Sequence, residues 1–355
     1  MAAATIIEKC FGSDYASSHI YGSWWFSLMW AFLSVAAIIY FVQQHTHRPS
    51  LVILHFSFIV ILLGAFLTHL TSWSGMAHLR INETSETYFA QDKDRNVIEK
   101  ELPFKVTLLN FNIINYDGTN VVKDYETEFM IDYETNAKVS MNKTFTYHGV
   151  RFLQGDYDKD GRGSILALNY DPYGLPVTYA GYALLFISLL WMLFTQKGAA
   201  KRLNILLAVI TALFCIFLNE THLMQTDGHT GYIIPVLNSP LFCIHVGIII
   251  MAYILLFAAI FSRRCLFPAM TALAIGIFVG AIWANVSWGS YWSWDPKEVW
   301  ALITFMIYAV PLHSSMFPFL RNNRNYHIFM VAAFLSILMT YFGCNYLLNG
   351  MHSYA

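Results

Sequence analysis

Eight apolar runs of roughly membrane-spanning length decide what this chain can fold into. They lie at 22–43, 50–72, 174–195, 203–219, 240–262, 266–285, 299–317 and 328–347. A helix rises 1.5 Å per residue, so about 20 residues cross a ~30 Å hydrocarbon core. Only 12% of the 355 residues are charged, against about 25% in a soluble domain. The chain reads as an α-helical polytopic membrane protein of about eight spans.

Residues 73–173 break this pattern. Charges return, and short alternating segments such as Phe104-Lys-Val-Thr-Leu-Leu, Glu128-Phe-Met-Ile-Asp and Ser164-Ile-Leu-Ala-Leu are parted by turn signals at Asn115-Tyr-Asp-Gly118 and Asp171-Pro-Tyr-Gly174. Strict alternation between turns is the mark of half-buried strands, so one β-rich extramembrane domain stands between spans 2 and 3. The chain divides into 1–72 with the first two spans, 73–173 as the β-rich domain, 174–219 as linking spans, and 220–355.

The connectors set an orientation. Arg48, then Lys197, Lys201 and Arg202, then Arg263 and Arg264, then Arg321 and Arg324 all fall on one side if the spans alternate. The positive-inside rule makes that side cytoplasmic. The β-rich domain, the loop 220–239 and both termini then face outward. The N-terminus carries no signal-peptide pattern, so either the short tail is pushed across or an upstream span precedes it. A net charge of -1 argues against a polyanionic partner such as nucleic acid. The cysteines Cys10, Cys215, Cys243, Cys265 and Cys344 form no C-x-x-C or zinc spacing, which argues against a c-type cytochrome or a thiol oxidoreductase.

Between two spans stands Trp288-Gly-Ser-Tyr-Trp-Ser-Trp-Asp-Pro-Lys-Glu-Val-Trp300. Asp295, Pro296 and Glu298 are accounted for as N-cap, N1 and N3 of a helix. Capping does not explain Trp288, Tyr291, Trp292 and Trp294. Those four read as a flat aromatic surface suited to a planar apolar ligand.

The histidines sort by depth. His55 and His313 lie a few residues inside the inner ends of their spans. His245 lies just inside the outer end of its span and His352 just beyond the outer end of the last, level with the tryptophans. A single intramembrane His is commonly a helix–helix hydrogen bond, but two depth-matched pairs beside an aromatic surface fit axial ligation of haem iron, one imidazole on each face. His45, His47 and His327 read as solvated, His148 as structural. His69 and His78 flank the outer end of the second span, where they could line an exit route.

The residues carry a resemblance. Trp288 to Leu302 resembles the tryptophan-rich signature of the WWD haem-handling family. Leu241-Phe-Cys-Ile-His-Val246, Pro311-Leu-His313 and Gly350-Met-His-Ser-Tyr354 resemble the CcsA branch of system II cytochrome c biogenesis. Ala3 to Glu8, Tyr21-Gly-Ser-Trp-Trp-Phe26, Leu54-His-Phe-Ser-Phe-Ile59, Leu102-Pro-Phe104, Met141-Asn142, Gly149-Val-Arg-Phe-Leu-Gln154 and Asp171 to Gly174 resemble a shortened ResB-type partner. The whole is similar to a ResB–CcsA fusion.

That resemblance implies a holocytochrome c synthase, a thioether-forming lyase in the bacterial cytoplasmic membrane. It would export haem b, hold it reduced at an outer site, and attach it to the C-x-x-C-H thiols of an apocytochrome c kept reduced by a thiol-reducing membrane partner. His55 and His313 would be the transmembrane iron ligands, and His245 and His352 the external ones. Trp288, Tyr291, Trp292 and Trp294 would hold the ring, with Trp292, Trp294 and Asp295 nearest the chemistry. Lys297 would pair with a propionate or stay an ordinary first-turn lysine. Two other readings stay open: a haem-delivery module without ligase activity, and a b-type electron-transfer cytochrome.

Overall fold

The computed structural model describes residues 1–44, 48–91, 96–227 and 230–348. His45, His47 and His352, all singled out above, lie outside the described residues.

Among the described residues seven helices are long and apolar enough to cross a membrane. They are α3 (Trp24–Gln44), α4 (Pro49–Thr71), α5 (Gly174–Phe194), α6 (Gly198–Thr221), α7 (Pro240–Phe261), α8 (Leu266–Trp288) and α10 (Asn323–Leu338), the last continuing as a π-helix over Met339–Leu347. The run expected as a span at 299–317 is shorter. Its helix α9 (Pro296–Ala309) has 14 residues, about 21 Å, and passes into a 3₁₀ turn at Val310–His313. Pro311 lacks an N–H and its ring crowds the preceding turn, so the α-helix stops short of it.

The residues before the first span are ordered into structure that their polarity did not announce. Ala2–Phe11 is helix α1, Ser13–Ala16 a single turn α2, and Ser17–Tyr21 a π-turn. Ala4, Ala16, Tyr21 and Phe26 bury themselves against Val299 of α9, with Trp294 alongside.

The β-rich domain between α4 and α5 has strands β1 (Trp73–Arg80), β2 (Thr84–Gln91), β3 (Val97–Asn115), β4 (Val122–Ile131), β5 (Thr135–Ser140), β6 (Phe145–Tyr147), β7 (Val150–Tyr157) and β8 (Gly163–Tyr170). They form one eight-stranded antiparallel sheet ordered β5-β4-β3-β2-β1-β8-β7-β6. The alternating segments pack as period-2 geometry requires: Phe104, Val106 and Leu108 of β3, Phe129 and Ile131 of β4, and Leu166 and Leu168 of β8 share one core. The Asp158–Asp160 turn accepts hydrogen bonds from Arg80, and His78 joins Asp158 at 3.0 Å. His78 is thereby engaged in the sheet rather than at the end of the second span.

Helices α4 and α5 cross closely because small residues sit at the contact. A Cβ on Gly64 would lie 2.5 Å from the Thr178 backbone nitrogen, and one on Gly174 would lie 2.4 Å from that of Thr68. This pair carries the sheet. The loop 220–239 meets the sheet at the same end, where Tyr116 donates to Ile233 O and Asn142 to Val236 O. At the opposite end Arg263 donates to Leu320 O, so the basic connectors at 263–264 and 321–324 gather there.

Candidate functional site

The tryptophan-rich segment is built at the end of α8. Gly289 takes a left-handed φ of 82° and closes that helix, the usual work of glycine just past a helix end. Six residues later Asp295 starts α9, accepting the Lys297 N–H at 2.9 Å. The capping is as the sequence suggests, with one difference. Glu298 does not reach the N-cap amide; its Oε2 accepts from the N–H (2.9 Å) and hydroxyl (3.3 Å) of Ser293. Trp294 between them has φ of 61°, a conformation costing roughly 1–3 kcal/mol for a non-glycine residue and held only by firm surroundings.

Those surroundings give the four aromatic residues separate partners. Trp288 packs edge-on to Trp283 at 4.8 Å. Tyr291 is buried and donates to Thr68 at 2.9 Å while Thr178 donates to it at 3.4 Å. Trp294 stacks on Tyr21 at 4.7 Å and 7°. Trp292 stands at 84° to Trp294. The expected single flat surface is therefore corrected: each ring follows its own neighbour, and two adjacent ones are perpendicular. Trp292 keeps an indole N–H buried with no hydrogen-bond partner among the described residues, which is costly unless a further group meets it.

The β-rich domain grips the same segment. Arg151 of β7 donates to Asn285 Oδ1 at 2.6 Å and to Gly289 O at 3.1 Å, and Asn285 donates on to the Tyr179 hydroxyl at 2.6 Å. Burial lowers the pKa of the Arg151 guanidinium from its usual value. Ser287 donates to Asn142. Thr68 donates to Asp171 Oδ2 at 2.6 Å, and Asp171 Oδ1 also caps the start of α5 through Gly174 N–H.

The inner histidines meet. His55 on α4 and His313 at the end of α9 have ring centroids 6.1 Å apart with planes at 90°. His55 Nδ1 lies 2.9 Å from Leu51 O, and His313 Nδ1 2.9 Å from Ala309 O. On α7, His245 Nδ1 lies 2.8 Å from Gly276 O of α8. A carbonyl can only accept, so in all three rings Nδ1 carries the proton and the neutral tautomer presents its lone pair at Nε2. That is how a protein presets an imidazole for a metal. The ring of His245 rests on Gly280, where a Cβ would lie 2.5 Å from both Cε1 and Nδ1.

Comparison with known proteins matches two separate parts of the chain to two families. The ResB-like family matches residues 44–171, and the cytochrome C assembly protein family matches 259–352. Protein NrfI of Wolinella succinogenes is 34% identical over 169 residues, 39% of this chain and 19% of that protein. The cytochrome c biogenesis protein CcsA of Oryza sativa is 47% identical over 93 residues, 26% of this chain and 29% of that protein, and that of Agrostis stolonifera is 49% identical over 98 residues. The two family matches and these relatives together support a ResB–CcsA fusion of the system II cytochrome c biogenesis type. The chain spans between a fifth and a third of the length of these relatives.

In this fusion, His55 and the whole sheet lie within the ResB-like match, while His313, His352 and the tryptophans lie within the cytochrome c assembly match. His245 falls outside both. Sequence reasoning passed over the residues that join the halves: Thr68, Arg151, Asp171 and Asn285. Arg151 and Asp171 stand in segments already marked by resemblance, but nothing in their spacing said what they would touch. It also passed over Glu8, buried on α1. Burial, and the nearby carboxylates of Asp295 and Glu298, raise its pKa to about 7.

Proposed function

We propose that this protein takes haem from the cytoplasmic side of a bacterial cytoplasmic membrane, presents it on the outer side, and joins it covalently to an apocytochrome c. The carrying observation is the common presetting of three histidines, each with Nδ1 on a backbone carbonyl, two of them facing each other at 6.1 Å. In this reading His55 and His313 form the inner haem station, and His245 with His352 the outer one. The match to a cytochrome c assembly family supports it, as does a tryptophan-rich segment held from both halves of the chain.

The chemistry asks little nucleophilicity of the protein, because both thiols come from the C-x-x-C-H motif of the apocytochrome. Each thiol adds across a haem vinyl group, sulfur to one carbon and hydrogen to the other. The protein's work is to fix the ring, exclude water and keep the iron six-coordinate until the incoming histidine displaces one ligand. Trp292 offers a buried N–H, and Trp294 a ring clamped by Tyr21. Asp295 acts through the helix it caps, by fixing Trp294 in its left-handed conformation.

The test is a visible spectrum and pyridine haemochrome assay of the purified protein, beside His245→Ala and His352→Ala, with co-expression of an apocytochrome c in a host lacking its own maturation system. The expected result is a reduced b-type spectrum in the wild type, lost or high-spin in both variants, with holocytochrome formed only by the wild type. A wild type that binds no haem defeats the proposal. Haem bound without covalent product leaves delivery in place of ligation.

A further inference from the structure

Between α5, α6, α7 and α8 lies a cavity of about 430 Å³, within the roughly 300–1,000 Å³ of small-ligand sites. It follows α6 from Asn204 to Ile216, about 18 Å along the helix axis, which is close to the ~15 Å that one leaflet contributes to the hydrocarbon core. Leu190, Phe194, Ile216 and Ile244 line it and are themselves exposed, so it is a groove open to the bilayer and not a sealed void. None of the readings above uses it.

A second cavity of about 200 Å³ continues the groove at the basic end. Asn204 and Pro268 line both, and the second adds Gln196, Arg263 and Arg264. Arg263 is already committed: it donates to Leu320 O at 2.7 Å, and its guanidinium lies 4.0 Å from the centre of the Tyr326 ring. Arg264 is exposed and makes no ion pair or side-chain hydrogen bond among the described residues. The first turns of α6 bring Lys201 and Arg202 to the same end. Nothing acidic offsets these charges locally, because no Asp or Glu stands between Asp171 and Glu220 or between Asp227 and Asp295, the two stretches that line both cavities.

Inside the groove Asn204 donates to Leu193 O and Thr211 to Leu207 O, each at 2.8 Å, so both are satisfied by backbone. Thr271 is not. It is 2% exposed, lines the groove, and its hydroxyl has no hydrogen-bond partner among the described residues. An unpaired buried hydroxyl is costly, the more so in hydrocarbon, where no water stands in. Thr271 lies about two turns deeper along the chain than Arg264.

We propose that this groove seats one anionic phospholipid of the leaflet at the basic end, with its phosphate on Arg264, an ester carbonyl accepting from Thr271, and one acyl chain along α6. The order of these contacts with depth is the order of the groups in the molecule: phosphate, glycerol ester, chain. Charge selects the headgroup. A free guanidinium with no carboxylate near it favours a net-negative lipid over a zwitterion, and the guanidinium fork matches phosphate oxygens. By the bias of the basic connectors this leaflet is the cytoplasmic one. The site rests on the chain spanning a membrane and is independent of the haem reading. The seated chain fills the space between α6 and α8. It thereby braces the helix that lies between the ResB-like and the cytochrome c assembly matches.

The experiment is native mass spectrometry of the full chain in detergent with equal amounts of dioleoyl phosphatidylglycerol and dioleoyl phosphatidylcholine, which differ only in headgroup. The wild type should retain one phosphatidylglycerol in preference to phosphatidylcholine. Arg264→Gln should weaken phosphatidylglycerol retention roughly fivefold and leave phosphatidylcholine as it was. Arg48→Gln removes another exposed charge of the basic connectors, one that lines neither cavity, and should change neither lipid. Ala208→Trp fills the groove from α6 and should expel both, while Thr271→Val should weaken both. Glycerol phosphate, a headgroup without chains, should not compete. Should Ala208→Trp fail to fold, the contrast between Arg264→Gln and Arg48→Gln decides the matter. No retained lipid, or equal retention of the two lipids, overturns the proposal. Equal losses in Arg264→Gln and Arg48→Gln would mean diffuse surface charge, and overturn it too. So does displacement by glycerol phosphate with retention unchanged in Ala208→Trp, which would mean a phosphate site with no seat for a chain.

Discussion

Replacing Gly280 by alanine should cripple haem binding while every proposed ligand stays unreplaced. A Cβ at that position would lie 2.5 Å from Cε1 and Nδ1 of His245 and 3.2 Å from Cγ. The obstruction is a rigid ring, so it cannot yield by a rotamer change at its far end. Either helix α8 moves or the imidazole tilts away, lengthening the 2.8 Å hydrogen bond to Gly276 O that fixes its tautomer. Overpacking of this kind costs about 1–3 kcal/mol, and a lost hydrogen bond a further 0.5–1.5 kcal/mol or so. In the free protein the ring escapes by swinging aside. In the haem-bound protein it must return, so most of the cost falls on the complex. At about 1.4 kcal/mol per tenfold, affinity should fall roughly 10- to 1,000-fold. Haem titration followed by Soret absorbance measures it directly. Gly276→Ala on the same helix is the control, because its Cβ meets the flexible side chains of Ile249, at 2.8 Å, and Ile248, at 3.3 Å, and no part of His245. Wild-type affinity and spectrum in Gly280→Ala would refute the view that His245 is held where a ligand must be.

Three further outcomes follow from the geometry. Arg151→Met should leave Asn285 Oδ1 and Gly289 O without their guanidinium donor, costing about 1–3 kcal/mol per stranded group, read as a lower thermal midpoint and earlier proteolysis at the tryptophan segment. Tyr291→Phe removes the hydroxyl between Thr68 and Thr178 and should cost about 1–2 kcal/mol by the same assay. Glu8 binds its proton more tightly folded, with a pKa near 7, than unfolded, so its contribution to stability is complete below the ordinary Glu range and is lost as pH rises through 7; over that window stability should fall by up to about 3 kcal/mol, and Glu8→Gln should flatten the fall, as denaturation across pH would register.

The spans and the sheet were legible because each rests on a local signal. Twenty apolar residues need no tertiary context to be read, and Phe104, Val106 and Leu108 declare a strand by alternation alone. The short helix α9 was less so: hydropathy runs on through Pro311, whereas the backbone cannot. The helix α1 escaped because its buried face is only Ala4, Thr5 and Glu8, too small and too polar to mark a core. At the site, residue types and depth brought His55 together with His313, but orientation lies beyond a one-dimensional pattern. Four aromatic residues within seven positions suggested one surface; the left-handed Trp294 and the pull of Tyr21, Thr68 and Trp283 turned them apart. Contacts such as Arg151 with Asn285, separated by 134 positions, leave no trace in spacing.

The hydrogen-bonded chain from Asp171 through Thr68 to Tyr291 has a consequence for the chain's continuity. Were the ResB-like and CcsA-like halves separate polypeptides, this chain would be a subunit interface, formed only as often as the two met in the bilayer. Covalent linkage turns that encounter into an intramolecular one, with an effective concentration in the millimolar range for a short tether. The polar contacts of Asp171, Thr68 and Tyr291, with Arg151 and Asn285 beside them, then need little help to hold. In a split version of this protein, the same joint would need a larger buried apolar surface to hold, and its occupancy would depend on expression level. Cutting the backbone between α5 and α6, without removing a single contact, would therefore make the tryptophan segment's geometry a function of dilution in the membrane.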